Sequence, residues 1–267
     1  MMVKEVFNKI EEISASKAYI NNNYMFSDEL IKKIDNGVLK PVISHKILFL
    51  LEKKDDYNKV VFFASSYDAL FEMYEYLSHA KGKYVISYIT PDSKTDFLSE
   101  KLEILGFNRY KQYRRLFLLN NKINDNIALN LNEKDYCVNN DSEIMRREMD
   151  KVFDKITDDI VTDIELNQMI NNKQAICFKN EEILEGFLLF ENTGYNSYLR
   201  CLCVCEDFRG NGIGRLLVKK WIDILKNKTK RYNLWVNCEN SPAISLYKSF
   251  GFNEDKLMDN IFVIDCV

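Results

Sequence analysis

Apolar and polar residues change their period repeatedly along this chain. Leu70, Met73, Tyr74 and Leu77 recur at helical spacing within residues 66–80. Apolar runs bounded by polar turns predict strands over 43–51, 60–64, 84–89 and 114–119. Helices are expected over 4–14, 26–34 and 97–105, the last ending at Gly106-Phe107. After a polar stretch the rhythm restarts. A strand is expected at 135–138 and helices at 142–154 and 158–171. Three successive strands follow at 174–178, 184–190 and 198–205, with Glu181-Glu182 and Asn192-Thr193-Gly194 in the turns. Then come a helix over 213–225, a strand at 234–237, a helix from about 242 and a last strand at 260–266. Strands alternating with helices point to sheets with helical cover.

The junction of the 198–205 strand and the 213–225 helix carries the first chemistry. It reads Arg209-Gly210-Asn211-Gly212-Ile213-Gly214-Arg215. Strand, glycine loop and helix together form an anion cradle: the free amides of a first helical turn point outward, and the helix dipole favours negative charge. A Walker loop is excluded, because Arg215-Leu216 stands where Lys and Ser or Thr are required. A dinucleotide fingerprint is excluded too, because the glycines are spaced GxGxG and not GxGxxG.

Residues 209–214 resemble the acyl-coenzyme A loop of the GNAT N-acetyltransferase superfamily, Arg/Gln-x-x-Gly-x-Gly/Ala, with Val204 at the hydrophobic strand end. Glu206 stands where that family often has Pro. A second segment, from Asn240 through Ala243, Leu246 and Tyr247 to Gly251-Phe252, resembles the family's Asn-x-x-Ala-x-x-Leu-Tyr-x-x-x-Gly-Phe element. The resemblance covers residues 134–267. It implies a mixed, mostly antiparallel central α/β sheet with helices on both faces, the acetyltransferase fold, while the strand–helix rhythm of the first half predicts a second α/β domain before it. It also implies acetyl-CoA as cosubstrate.

By that resemblance, Arg209, Gly210, Asn211, Gly212, Ile213, Gly214 and Arg215 hold the pyrophosphate. The main chain of Cys203, Val204 and Cys205 pairs with the pantetheine, Asn240 contacts the cofactor or only caps its helix, and Tyr247 protonates the leaving thiolate. Glu191 and Glu206 are the acids available as general base. The acceptor is a small-molecule or peptide amine. A non-catalytic acyl-CoA-binding sensor and an interaction protein are the rival readings.

Cys201, Cys203 and Cys205 alternate and so share one face of their strand, which disfavours a metal reading for them. Seven scattered cysteines suit a reducing compartment. Lys plus Arg number 37 against 40 Asp plus Glu, which gives no basis for nucleic-acid binding. No run of 18 apolar residues or signal-peptide core occurs, so no membrane partner and a cytoplasmic location are expected.

Residues 121–133 are the expected linker between a 1–120 domain and a 134–267 acetyltransferase domain. Residues 102–107 parallel 247–252, which raises the idea of a degenerate duplicate. In that alignment Leu102 stands at the Tyr247 position, and no glycine loop precedes it, so one cofactor site is expected. The first half would cover the acceptor cleft or form a subunit contact in a homodimer.

Overall fold

Two compact units emerge, the first built from two separate stretches of chain and the second from one. One comprises Met1–Gln112 with Leu257–Val267, and the other Tyr113–Lys256. The computed structural model describes residues 2–91, 96–122, 135–157, 160–181 and 183–267. Beyond Lys122 the expected linker lies outside these residues, as do 158–159 of an expected helix and Glu182 of an expected turn.

The first unit contains helices α1 (Met2–Ser14), α2 (Ser27–Asp35), α3 (Leu70–Ala80) and α4 (Phe97–Ile104). Its strands are β1 (Ile20–Asn21), β2 (Leu39–Ile43), β3 (Ile47–Lys53), β4 (Asn58–Ala64) and β5 (Gly82–Pro91). The sheet runs β2-β3-β4-β5 and is then completed by residues 257–266 of β11 (Asn253–Cys266). β2 was not expected. Its Pro41 obscures the strand pattern and is tolerated because β2 is an edge strand.

The last strand was expected in the second domain, and its residues 257–266 instead pair with β5 and send Phe262 and Ile264 into the core of the first unit. Phe262 is fully buried and stacks on Tyr88, with ring centroids 6.0 Å apart. Leu70, Met73, Leu77, Leu98 and Leu102 pack on this face of the sheet, while Val6, Ile13, Leu30 and Ile34 pack on the other.

The second unit contains residues 113–119 of β6 (Asn108–Leu119), α5 (Ser142–Val152), α6 (Asp163–Asn171), β7 (Ala175–Asn180), β8 (Ile183–Thr193), β9 (Asn196–Val204), α7 (Ile213–Leu225), β10 (Arg231–Asn237) and α8 (Ser241–Ser249). Sheet order is β6-β10-β9-β8-β7, all antiparallel except β9 and β10. The strand expected at 135–138 is only an isolated bridge, Tyr136 to Ile176. Helices α7 and α8 cover one face around the fully buried Trp221, which lies between Tyr232 and Phe252. Helices α5 and α6 cover the other face through Met145, Met149, Leu166 and Met169. This is the mixed, mostly antiparallel sheet with helices on both faces.

The two units share a local signature. Helix α4 ends where the Phe107 amide bonds the Leu102 carbonyl at 3.0 Å, past Gly106 at φ +88°. Helix α8 ends where the Phe252 amide bonds the Tyr247 carbonyl at 3.2 Å, past Gly251 at φ +90°. Both are six-to-one helix ends that need a left-handed residue, which glycine supplies. The strand patterns also match: β4 and β5 run parallel and pair only at Asn58–Tyr84 and Lys59–Val85, as β9 and β10 pair only briefly. In the first unit the resulting slot is occupied by the chain itself. β1 pairs with Phe63 and Ala64 of β4, and the buried Asn22 side chain donates to the carbonyls of Val60 and Ser87, each at 3.0 Å.

Candidate active site

In the second unit the slot between the parallel strands is bounded by β9. β8 pairs with β9 along its length, but β10 pairs only at Asn196, Ser197 and Tyr198. Arg200 explains the parting. The register shifts between Leu189 and Phe190, so Arg200 is an extra residue in β9. Such a bulge bends its strand and raises the local twist. It also inverts the side-chain alternation: Leu199 packs on the α7 side, whereas Cys201 packs on the α5 side. Cys201 and Cys203 do share one face, as their spacing predicts.

Beyond the bulge, the backbone of β9 divides by parity. The Cys205 amide donates to the Glu185 carbonyl at 2.9 Å, so residue 205 faces β8. In an antiparallel ladder such pairs alternate. Cys203 therefore also faces β8, while the amides and carbonyls of Leu202 and Val204 face the slot. The Val204 carbonyl accepts from Arg209 Nε at 3.2 Å, which agrees with that direction. The main chain that borders the slot is thus that of Leu202 and Val204. Of the expected run Cys203–Val204–Cys205, the main chain of Val204 faces the slot and that of Cys203 and Cys205 faces β8, because parity is set by the partner strand.

Past a single turn at Glu206–Phe208 the glycine loop begins. Gly210 and Gly212 have φ of 84° and 79°, and a β-carbon at either would meet nothing within 4 Å. Conformation, and not space, calls for glycine there. Gly212 caps α7, and the first ladder bond runs from the Leu216 amide to its carbonyl at 3.1 Å. The amides of Ile213, Gly214 and Arg215 precede that ladder and have no partner within the helix, the arrangement that suits an anion.

Ile213 directs its side chain into the core, so only its amide serves the turn. Arg215 Nη1 donates to Ser249 Oγ at 2.8 Å, and its guanidinium lies 5.0 Å from the Phe250 ring centre, tying α7 to α8. Asn211 is exposed at the loop tip.

Gly186 on β8 is a residue that motif reading passed over. A β-carbon there would lie 2.9 Å from the Cys203 carbonyl oxygen and 3.1 Å from Ile213 Cγ2. Its absence lets α7 settle close to the sheet and sets the first turn beside the end of β9. An isolated glycine within an apolar strand was the available signal.

Tyr247 is buried on α8 with its ring 5.8 Å from that of Phe252. Burial pushes its phenol well above the ordinary value, and the neighbouring Cys201 adds to the effect. A neutral phenol is a proton donor across the physiological range. Asn240 Oδ1 accepts the Ala243 amide at 3.1 Å and caps α8, with Pro242 in the first turn.

Burial pushes the Cys203 thiol up to about 12. The Cys205 thiol is raised by burial too, and it donates to the Leu184 carbonyl at 3.3 Å. Neither is an activated nucleophile.

Glu191 and Glu206 are not brought together. Glu191 lies opposite Tyr198 and pairs with Arg200 at 2.8 Å. Glu206 is exposed at the start of the loop. At about 3.3 Å per residue the two positions are roughly 25 Å apart along the strand.

Residues 171–254 match the acetyltransferase (GNAT) domain family. An uncharacterized N-acetyltransferase of Methanocaldococcus jannaschii is 45% identical over 56 residues, 21% of this chain and 25% of that protein. The [ribosomal protein bS18]-alanine N-acetyltransferase of Salmonella typhimurium is 38% identical over 63 residues, 23% of this chain and 42% of that one. The match therefore spans a quarter to under half of these relatives' lengths. A GCN5-related N-acetyltransferase from Sphaerobacter thermophilus shares the fold over 99% of this chain and 91% of its own, with TM-score 0.61 and 10% identity. Among the described residues no helix is long and apolar enough to cross a membrane.

Proposed function

We propose, from the premise that the second unit belongs to the GNAT acetyltransferase superfamily, that this chain moves an acetyl group from acetyl-CoA to a primary amine. The observation that carries the reading is the joining of two features beside one slot. One is the turn of unladdered amides at 213–215, and the other is the open edge of β9 at Leu202 and Val204.

The turn suits a pyrophosphate, and the β9 edge suits the amide-bearing pantetheine arm, which can pair as an added strand. The arm runs from the loop toward the bulge. An amide of Leu202 or Val204 then donates to the thioester carbonyl as its oxygen gains charge. The acceptor nitrogen bonds to the carbonyl carbon, and the carbon–sulfur bond breaks as the tetrahedral intermediate collapses. Tyr247 gives its proton to the departing sulfur. The amine's proton goes to a base at the bulge end of β9. Glu191 suits that role better than Glu206, which stands at the phosphate end. Asn240, with Oδ1 engaged in the cap, offers its side-chain amide to the cofactor.

One site per chain is proposed. The corresponding slot of the first unit is filled by β1 and Asn22, and Leu102 there has no proton to give. The acceptor remains a small-molecule or peptide amine, since the match spans less than half of either relative's length. A thiol-release screen of amines with acetyl-CoA tests the proposal. Acetyl-CoA binding without turnover on any amine would favour the sensor reading, and failure to bind would favour the interaction protein.

A further inference from the structure

The outer edge of the second unit's sheet brings together three ligand-type side chains that acetyl transfer does not use. Cys177 lies on β7. Cys137 follows the Tyr136–Ile176 bridge, and its amide donates to the Ala175 carbonyl at 3.0 Å. Asp141 ends the single turn at Asn139–Asp141 and is buried. The two Sγ atoms and a carboxylate oxygen of Asp141 lie within 4.8 Å of one another.

We propose that Cys137, Asp141 and Cys177 bind a thiolate-preferring divalent cation of the zinc class. Zinc sits about 2.3 Å from sulfur and about 2.0–2.2 Å from carboxylate oxygen, so ligand atoms around one ion stand roughly 3.3–4 Å apart. The cluster needs to contract by no more than about 1.5 Å to reach that spacing. Two soft thiolates with one carboxylate select zinc-like ions over magnesium or calcium. A water would complete the tetrahedron.

Charge supports the same conclusion. Two thiolates and a carboxylate carry three negative charges. A divalent ion and the Lys179 ammonium, 2.8 Å from Asp141 Oδ2, bring the total to zero. Lys220, also nearby, pairs with Asp135 at 2.6 Å. Asp141 is already oriented: its Oδ2 accepts the Val138 amide at 2.7 Å as well as Lys179, and its other oxygen can turn to the ion.

A disulfide fits less well. Cys137 stands opposite Ala175 and Cys177 opposite Asp135, so the cysteines are diagonal across an antiparallel bridge. Diagonal residues are separated by about 7–8 Å, with β-carbons somewhat closer, whereas a disulfide needs β-carbons about 3.5–4.5 Å apart. An ion bridges the larger gap. It would staple the segment before α5 to β7 and so hold α5 against the sheet.

The test is a Co²⁺ titration of the full chain after chelator treatment. We expect one ion per chain, a thiolate-to-cobalt charge-transfer band, and displacement by Zn²⁺. The band should vanish in Cys137→Ser and in Cys177→Ser and survive in Cys201→Ser, whose thiol lies elsewhere in the same core. Asp141→Asn should keep the band and weaken Co²⁺ affinity by about 10-fold or more. Should either serine variant fail to fold, the Zn²⁺-induced rise in melting temperature of wild type against Asp141→Asn decides, with a smaller rise expected in the variant. No band at one equivalent of Co²⁺, an undiminished band in Cys177→Ser, equal Zn²⁺ shifts in wild type and Asp141→Asn, or a Cys137–Cys177 disulfide formed without metal uptake would each overturn the proposal.

Discussion

The Cys205 amide donates to the Glu185 carbonyl at 2.9 Å, and this one bond decides which amides of β9 are free to receive a ligand. Because ladder pairs alternate, Leu202 and Val204 face the slot and Cys203 does not. Residue-resolved hydrogen exchange should therefore show new protection at Leu202 and Val204 when acetyl-CoA is added. The Cys205 amide should be protected beforehand and change little. Protection gained at Cys203 and Cys205 instead would reverse the assigned parity.

Tyr247→Phe removes the proposed proton donor and leaves the packing against Phe252 intact. Turnover is expected to fall by about 100-fold or more, the range of general acid catalysis. KM for acetyl-CoA should stay within about twofold, since the loss is confined to the transition state. The pH profile carries a second test. The phenol must be protonated to act, and burial raises its pKa, so that form persists as pH climbs past the ordinary value of about 10. An alkaline loss of kcat/KM below pH 10 that disappears in Tyr247→Phe would contradict this.

Three glycines should respond differently to alanine. Gly186→Ala places a β-carbon 2.9 Å from the Cys203 carbonyl oxygen, which belongs to the backbone and has little room to move. It should cost about 1–3 kcal/mol of stability and displace α7, weakening acetyl-CoA binding with it. Gly212→Ala meets no neighbour but forces a left-handed alanine, at about 1–2 kcal/mol. Gly214→Ala meets Leu246 Cδ2 at 3.5 Å, an ordinary contact, at a helical position that favours alanine, so it should be neutral or slightly stabilising. Denaturant midpoints and calorimetric affinities rank the three.

Acetyl-CoA should bind with a stoichiometry of one per chain by titration calorimetry. Asn22 makes the reason testable. It accepts the Phe62 amide at 2.7 Å and donates to two carbonyls on different strands. Asn22→Ala leaves buried backbone groups without partners and should destabilise the chain by at least about 2 kcal/mol, without creating a second site. A measured stoichiometry of two would show that the first unit binds as well.

The local architecture of the candidate site was legible from residue order alone. A glycine loop between a strand and a helix, and a cap-to-glycine helix carrying Tyr247, are built from contiguous residues, so spacing encodes them. The alternation of Cys201 and Cys203 and the shared helix end at Gly106 and Gly251 were readable for the same reason. What tertiary structure decided is every choice between distant partners. The strand at 257–266 pairs with β5 because Phe262 and Ile264 fill the core around Tyr88 and Gly106, which no local pattern records. Arg200 parts β9 from β10 only through its register against β8. Gly186 matters through the helix resting on it. Cys137 and Cys177, 40 positions apart in the chain, meet only across a bridge. Local order prescribes conformation, whereas pairing register and burial arise from contacts that exist only once the chain has folded.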